Sequence, residues 1–96
     1  MSLTETQCKH LKGLGHSLKP LVLIGSGGLS KNVLVEVDST LDHHELIKVR
    51  VRSGDRTERD TLIQELVARS AAQLVQRVGN VALLYRAAEK PTIVLP

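Results

Sequence analysis

The chain has 96 residues, 42% of them hydrophobic, and a net charge of +3, which allows one hydrophobic core and excludes two. Tyr85 is its only Phe, Trp or Tyr residue, so a base-stacking aromatic platform is excluded, and the lone Cys8 excludes an intramolecular disulfide. Without a secretory apolar stretch at the N-terminus or a long apolar run, the sequence predicts a cytoplasmic protein with no membrane contact.

Thr4-x-x-Gln7 fits a capping box, and Cys8, Leu11, Leu14 and Leu18 recur at helical spacing, predicting a first helix over about residues 4–16 with Cys8 as core packing. Gly13 and Gly15 weaken its last turns. Glu5, Lys9, Lys12 and His16 recur on a separate stripe and form a short basic ridge facing solvent. Pro20 opens a strand over Leu21 to Ile24, whose four successive apolar residues predict burial on both faces. Gly25-Ser26-Gly27-Gly28 then turns the chain, and Ser30 caps a second helix over about residues 31–43 with Val33, Leu34, Val37 and Leu41 on its buried face.

Leu46 to Arg52 reads as a strand in which Ile47, Val49 and Val51 face a core while Lys48, Arg50 and Arg52 line the other side. Ser53-Gly54-Asp55-Arg56 forms a turn, and Thr57 caps a third helix that buries Leu62, Ile63, Leu66 and Val67 and ends near Ala72. Gln73 to Val78 and Val81 to Arg86 flank Gly79-Asn80, a pair suited to a two-residue hairpin of the II′ kind. Pro91 to Pro96 is an added edge strand or a docked tail. The order α-β-α-β-α-β-β predicts one α/β domain over residues 1–96, a mixed sheet packed by helices, with a Gly-x-x-Gly loop between the first strand and the second helix.

That loop carries the chemistry. Its glycines leave no side chain in the way of a ligand, and the helix start behind it favours an anion, naturally a phosphate. A Walker A loop needs Gly-Lys-Ser/Thr where Gly28-Leu29-Ser30 stands, and a dinucleotide fingerprint needs a third glycine where Lys31 and Asn32 follow. Charge is polarised along the chain, at +3 over residues 1–35, −4 over 36–45 and +3 over 46–59. The cation-rich segments attract polyanions. His43-His44-Glu45 lacks a second ligand pair at metal-site spacing, so it reads as a helix end, and no metal or cofactor is expected. No nucleophile and base pair is recognisable, so no catalytic residue is assigned.

Leu11-Lys12 with His16, Leu18-Lys19-Pro20, Gly25-Ser26-Gly27-Gly28-Leu29, His43-Glu45-Leu46-Ile47-Lys48-Val49, and Val78-Gly79 through Leu84-Tyr85-Arg86 together resemble the CRM domain in its stand-alone bacterial YhbY-like form. The resemblance spans nearly the whole chain. It implies a non-enzymatic RNA-binding domain that acts on large-subunit ribosomal RNA or its precursor particle, with ribosomal protein contacts possible. Gly25, Ser26, Gly27 and Gly28 match the family's loop, and Lys12, Lys19 and Lys48 match its basic positions. Local charge adds Lys9, Lys31, Arg50 and Arg52 to the expected RNA-binding set, with Arg56 and Arg59 nearby. KH domains clamp a nucleic-acid backbone with a comparable Gly-x-x-Gly loop. The alternative is an assembly adaptor whose cations meet acidic protein surfaces.

Overall fold

Thr4 and Gln7 close the expected capping box: Thr4 Oγ1 accepts from Gln7 N–H at 3.1 Å, and Gln7 Oε1 accepts from Thr4 N–H at 3.0 Å. Helix α1 (Glu5–Gly15) begins there in the computed structural model, which describes residues 2–52 and 54–96. It is followed by β1 (Pro20–Ile24), α2 (Lys31–His44), β2 (Leu46–Val51), α3 (Arg56–Ser70), β3 (Gln73–Val78) and β4 (Val81–Tyr85). This is the order expected from the sequence.

The sheet runs β1-β2-β4-β3, with β1 parallel to β2 and β4 antiparallel to both its neighbours. Helices α2 and α3 cover one face, where Val37, Leu41, Ile63 and Leu66 meet Val22, Ile24, Ile47, Val49, Val51, Ala82 and Leu84. On the other face α1 contributes Leu11 to a second, smaller core cluster with Leu46, Val75, Leu83 and Tyr85, so apolar residues are buried on both faces of the sheet where the sequence predicts a single core. Among the described residues no helix is long and apolar enough to cross a membrane.

Several local expectations are corrected. Strand β1 is buried on one face only, and Leu21 and Leu23 are each 51% exposed. It is an edge strand, and α1 lies against β2, β3 and β4 instead. Leu14 and Leu18 are likewise exposed and Cys8 is half-buried, because α1 approaches the sheet through Gly15. A Cβ on Gly15 would stand 2.7 Å from Leu83 Cδ2, so the residue that weakens the helix is the one that lets it dock.

Helix α3 is capped by Asp55 in place of Thr57; Asp55 Oδ1 accepts from Glu58 N–H at 2.9 Å, and its charge also complements the helix dipole. Ser53 of the expected turn lies outside the described residues, whereas Gly54 has φ +69°. The helix stops at Ser70, with Ala71 as its left-handed cap. In the hairpin only Gly79 takes positive φ, as the II′ pattern requires.

The C-terminal residues form no strand and dock as a tail. Their anchor is Glu45, 1% exposed, at the one-residue junction of α2 and β2 with φ +63°. Its carboxylate accepts from Ala88 N–H, Thr92 N–H and Ile93 N–H, each at 2.8 Å, and from the Thr92 hydroxyl at 2.6 Å. Burial pushes this carboxyl upward, but the Thr92 hydroxyl and the three N–H groups outweigh it and hold the pKa at about 2, below its ordinary 4.5. The tail then packs Ile93 and Leu95 against the α1 cluster.

A depressed folded-state pKa stabilises the fold above pH 4.5 and ceases to do so as pH falls toward 2. Thermal melts should therefore decline across that window, and Glu45→Gln should flatten the decline while costing about 2 kcal/mol at neutral pH. Circular dichroism melts from pH 2 to 7 check both; an unchanged pH profile in the variant would remove Glu45 from this role.

Candidate nucleic-acid interface

Strand β1 ends at Ile24, and the next four residues expose little but backbone. Gly28 N–H donates to Gly25 carbonyl oxygen at 3.0 Å, closing a tight turn, and Ser30 N–H returns to Gly28 carbonyl oxygen at 3.0 Å. Gly28 has φ +64°, the left-handed region that favours glycine. At Gly25 and Gly27 an added Cβ would meet open space, so at these two positions the turn is uncovered.

Ser30 Oγ then accepts from Val33 N–H at 3.2 Å and starts α2. The N–H groups of Lys31 and Asn32 have no intrahelical acceptor, and no acidic residue sits in the first turn to offset the dipole. Lys31 is exposed at this positive end.

The last rung of the parallel pairing brings Arg52 alongside: its N–H donates to Ile24 carbonyl oxygen at 2.8 Å. Arg50 and Lys48 lie further down β2 on the sheet face that α1 only partly covers. There they share a groove of about 540 Å³ with His16, Lys19 and an apolar floor of Val81 and Leu83. A second concavity, lined by Lys19, Arg50 and Arg52 along the outside of β1, joins that groove to the glycine-turn end.

The structure therefore brings Gly25, Ser26, Gly27, Gly28, Lys31 and Arg52 together at one end, with Arg50, Lys48 and Lys19 running from it along the edge strand. Lys12 and Lys9 stand one and two turns before His16 on the exposed side of α1, outside the groove. Gln76 lines the groove too, and sequence periodicity misses it because a bulge between Leu74 and Gln76 shifts β3.

The acidic block falls at the opposite end. Arg86 pairs with Asp38 at 2.8 Å and Asp42 at 2.9 Å and donates to Ser70 carbonyl oxygen at 2.6 Å. His43 Nδ1 lies 2.8 Å from Ser39 carbonyl oxygen, in the helix end expected of it. Among the described residues no cluster of three or more His, Cys, Asp or Glu is placed to hold a metal ion.

The sequence model of the CRS1/YhbY (CRM) domain matches residues 3–86. An RNA-binding protein of Haemophilus influenzae is 42% identical over 95 residues, covering 99% of this chain and 96% of that protein. A Pseudomonas aeruginosa protein named a probable RNA-binding protein is 44% identical over 91 residues, covering 95% of this chain and 88% of the relative. The solution structure of a hypothetical protein from Staphylococcus aureus, described as a candidate RNA-binding protein, has a TM-score of 0.83 at 33% identity, covering 99% of this chain and 100% of that one.

At Gly28 the nearest atom to an added Cβ is Leu62 Cδ2 at 3.7 Å, an ordinary contact, so only the backbone conformation penalises a side chain. Asp tolerates that conformation better than most residues. Gly28→Asp should thus fold, with a loss of about 1 kcal/mol in urea denaturation. A loss several-fold larger would show that the turn is packed more tightly than this geometry allows.

Proposed function

The chain belongs to the CRS1/YhbY (CRM) domain family, and on that premise we propose that it is a non-enzymatic, cytoplasmic RNA-binding protein that holds large-subunit ribosomal RNA or its precursor particle during assembly. The observation that carries this reading is the uncovered glycine turn at the positive end of α2, continuous through Arg52 with Arg50, Lys48 and Lys19. Backbone N–H groups and the helix end receive a phosphate, while the cations hold its neighbours. Relatives named as RNA-binding or probable RNA-binding proteins, aligned over most of their length, support the RNA-binding part of this reading.

Tyr85 is only 5% exposed, so no aromatic ring of the Phe, Trp or Tyr type is available for bases. Recognition then rests on RNA shape, 2′-hydroxyls and backbone path. Asp38 and Asp42, the one carboxylate pair sharing a face of α2, are engaged by Arg86, which favours binding over metal-assisted cleavage. The exposed Leu21 and Leu23 on edge strand β1 give specific support to a second reading, an adaptor that docks a ribosomal protein.

Binding to a structured ribosomal RNA fragment across a salt series separates the two. Engagement of about four phosphates predicts roughly a fifty-fold loss of affinity between 50 and 200 mM salt, and Gly28→Asp should weaken binding throughout. Absence of RNA binding at low salt, together with association with large-subunit particles that survives RNase, would replace the RNA reading by the adaptor.

A further inference from the structure

At the same end of the sheet, but on the side of α3, a cavity of about 540 Å³ is lined by Arg56, Arg59, Arg77, Gly79 and Asn80. We propose that this arginine cavity is a second phosphate site, which takes a phosphodiester of the same RNA that the glycine turn holds. It rests on the RNA-binding reading and adds to it a contact on the far side of the sheet end.

Two of the three guanidinium groups are already fixed in place. Arg59 Nη1 donates to Gly54 carbonyl oxygen at 2.8 Å, and Arg77 Nε donates to Gly79 carbonyl oxygen at 3.0 Å. Arg77 also pairs with Asp60 on α3, which it reaches because it stands opposite Ala82 and so faces the helices. A guanidinium has five N–H donors in a rigid fork, so these bonds orient the groups without exhausting them. Arg59 Nε is shielded from solvent and has no acceptor from the protein. The remaining Nη donors of Arg59, with those of Arg56, are the ones open to a ligand in the cavity.

The lining contains three cations and no carboxylate. Of the nearby acids, Asp60 pairs with Arg77 and so offsets one of the three charges, and Asp55 caps the start of α3, which leaves Arg56 and Arg59 as the cations a ligand would meet. Glu58 follows in that first turn, against Gly54. An anion with several oxygens in fork geometry suits what remains, and phosphate is that anion.

Position argues for the same RNA. Val51 N–H donates to Asn80 carbonyl oxygen at 2.7 Å, and Arg52 N–H donates to Ile24 carbonyl oxygen, so the last residue of β2 and the one after it fasten the hairpin and the end of β1 from which the glycine turn leaves. From β1 to β3 the sheet spans three strand spacings, about 14 Å, so the two sites meet different phosphates.

The test measures RNA affinity across salt for the unmodified protein, Arg56→Gln/Arg59→Gln, Arg56→Gln alone and Gly28→Asp, each shown to be folded. Gln preserves helix propensity, and Arg56 is exposed, so the single variant guards against a folding artefact. The double variant should bind about fivefold more weakly at moderate salt, with the slope of log affinity against log salt reduced by about 0.7, the loss of one single-strand phosphate. The single variant should shift both in the same direction. Unchanged affinity and slope in the double variant, with Gly28→Asp still weakened, would overturn the arginine site and leave the RNA reading intact. Failure of the unmodified protein to bind RNA at low salt would overturn both. In a parallel arm, RNA should shift the Arg59 Nε–H resonance more than inorganic phosphate at equal concentration; a shift with phosphate and none with RNA would make the cavity a free-anion site and overturn the proposal.

Discussion

The hydrogen bond from Arg52 N–H to Ile24 carbonyl oxygen fixes where every candidate contact lies, because it is the last rung of the one parallel pairing in the sheet. Parallel neighbours require a crossover, so α2 must begin at the end where β1 stops, and α3 begins where β2 stops at that same end. Strand β3 runs in the direction of β2 with β4 between them, and the Gly79-Asn80 turn therefore arrives there as well. Two helix N-termini, a backbone-only turn and the arginines of three segments converge through the chain connections, and of those arginines Arg77 is also paired with Asp60 of α3. Topology does what repulsion between like charges would oppose.

The opposite end bears the compensation. The C-termini of α2 and α3 lie there, and Asp38 and Asp42 of α2 are met by Arg86. Glu45 has only one residue's length in which to reverse the chain and adopts positive φ without being glycine, a conformation that costs of order 1–3 kcal/mol. Four hydrogen bonds from the tail accompany it. The tail in turn supplies Ile93 and Leu95 to the small cluster beneath α1, which otherwise rests on a single fully buried leucine of its own. Since α1 ends beside the basic groove, the charged anchor at one end of the molecule helps to hold the wall of a surface near the other.

Most of this is legible in local chemistry. The Thr4 capping box, the Ser30 cap, the alternation from Ile47 to Val51 and the Gly79-Asn80 turn each depend on residues a few positions apart. What escaped was set at long range. Four apolar residues in β1 look the same in an edge strand as in a central one, and only the placement of α1 leaves Leu21 and Leu23 uncovered. Gly15 reads as a weak helix position until Leu83 is seen against it. Glu45 counted as one more acid in an acidic block, since its partners lie more than forty residues away. Arg77 carried no signal at all, because its side depends on a bulge within its own strand.

A surface made of backbone amides and guanidinium forks, with its one phenol ring turned inward, offers a base no Phe, Trp or Tyr ring to stack on. It can distinguish backbone paths. The amides of the glycine turn are held by the turn's own hydrogen bonds and the Arg59 and Arg77 guanidiniums by carbonyl oxygens, so neither set adapts cheaply to a phosphate in the wrong place. The lysines and the exposed arginines, on flexible stems, add affinity with little discrimination. On the proposed RNA-binding reading, selectivity for a folded RNA would come from the fixed separation of rigid contact points across the end of the sheet, which a strand of the wrong curvature would satisfy only one at a time.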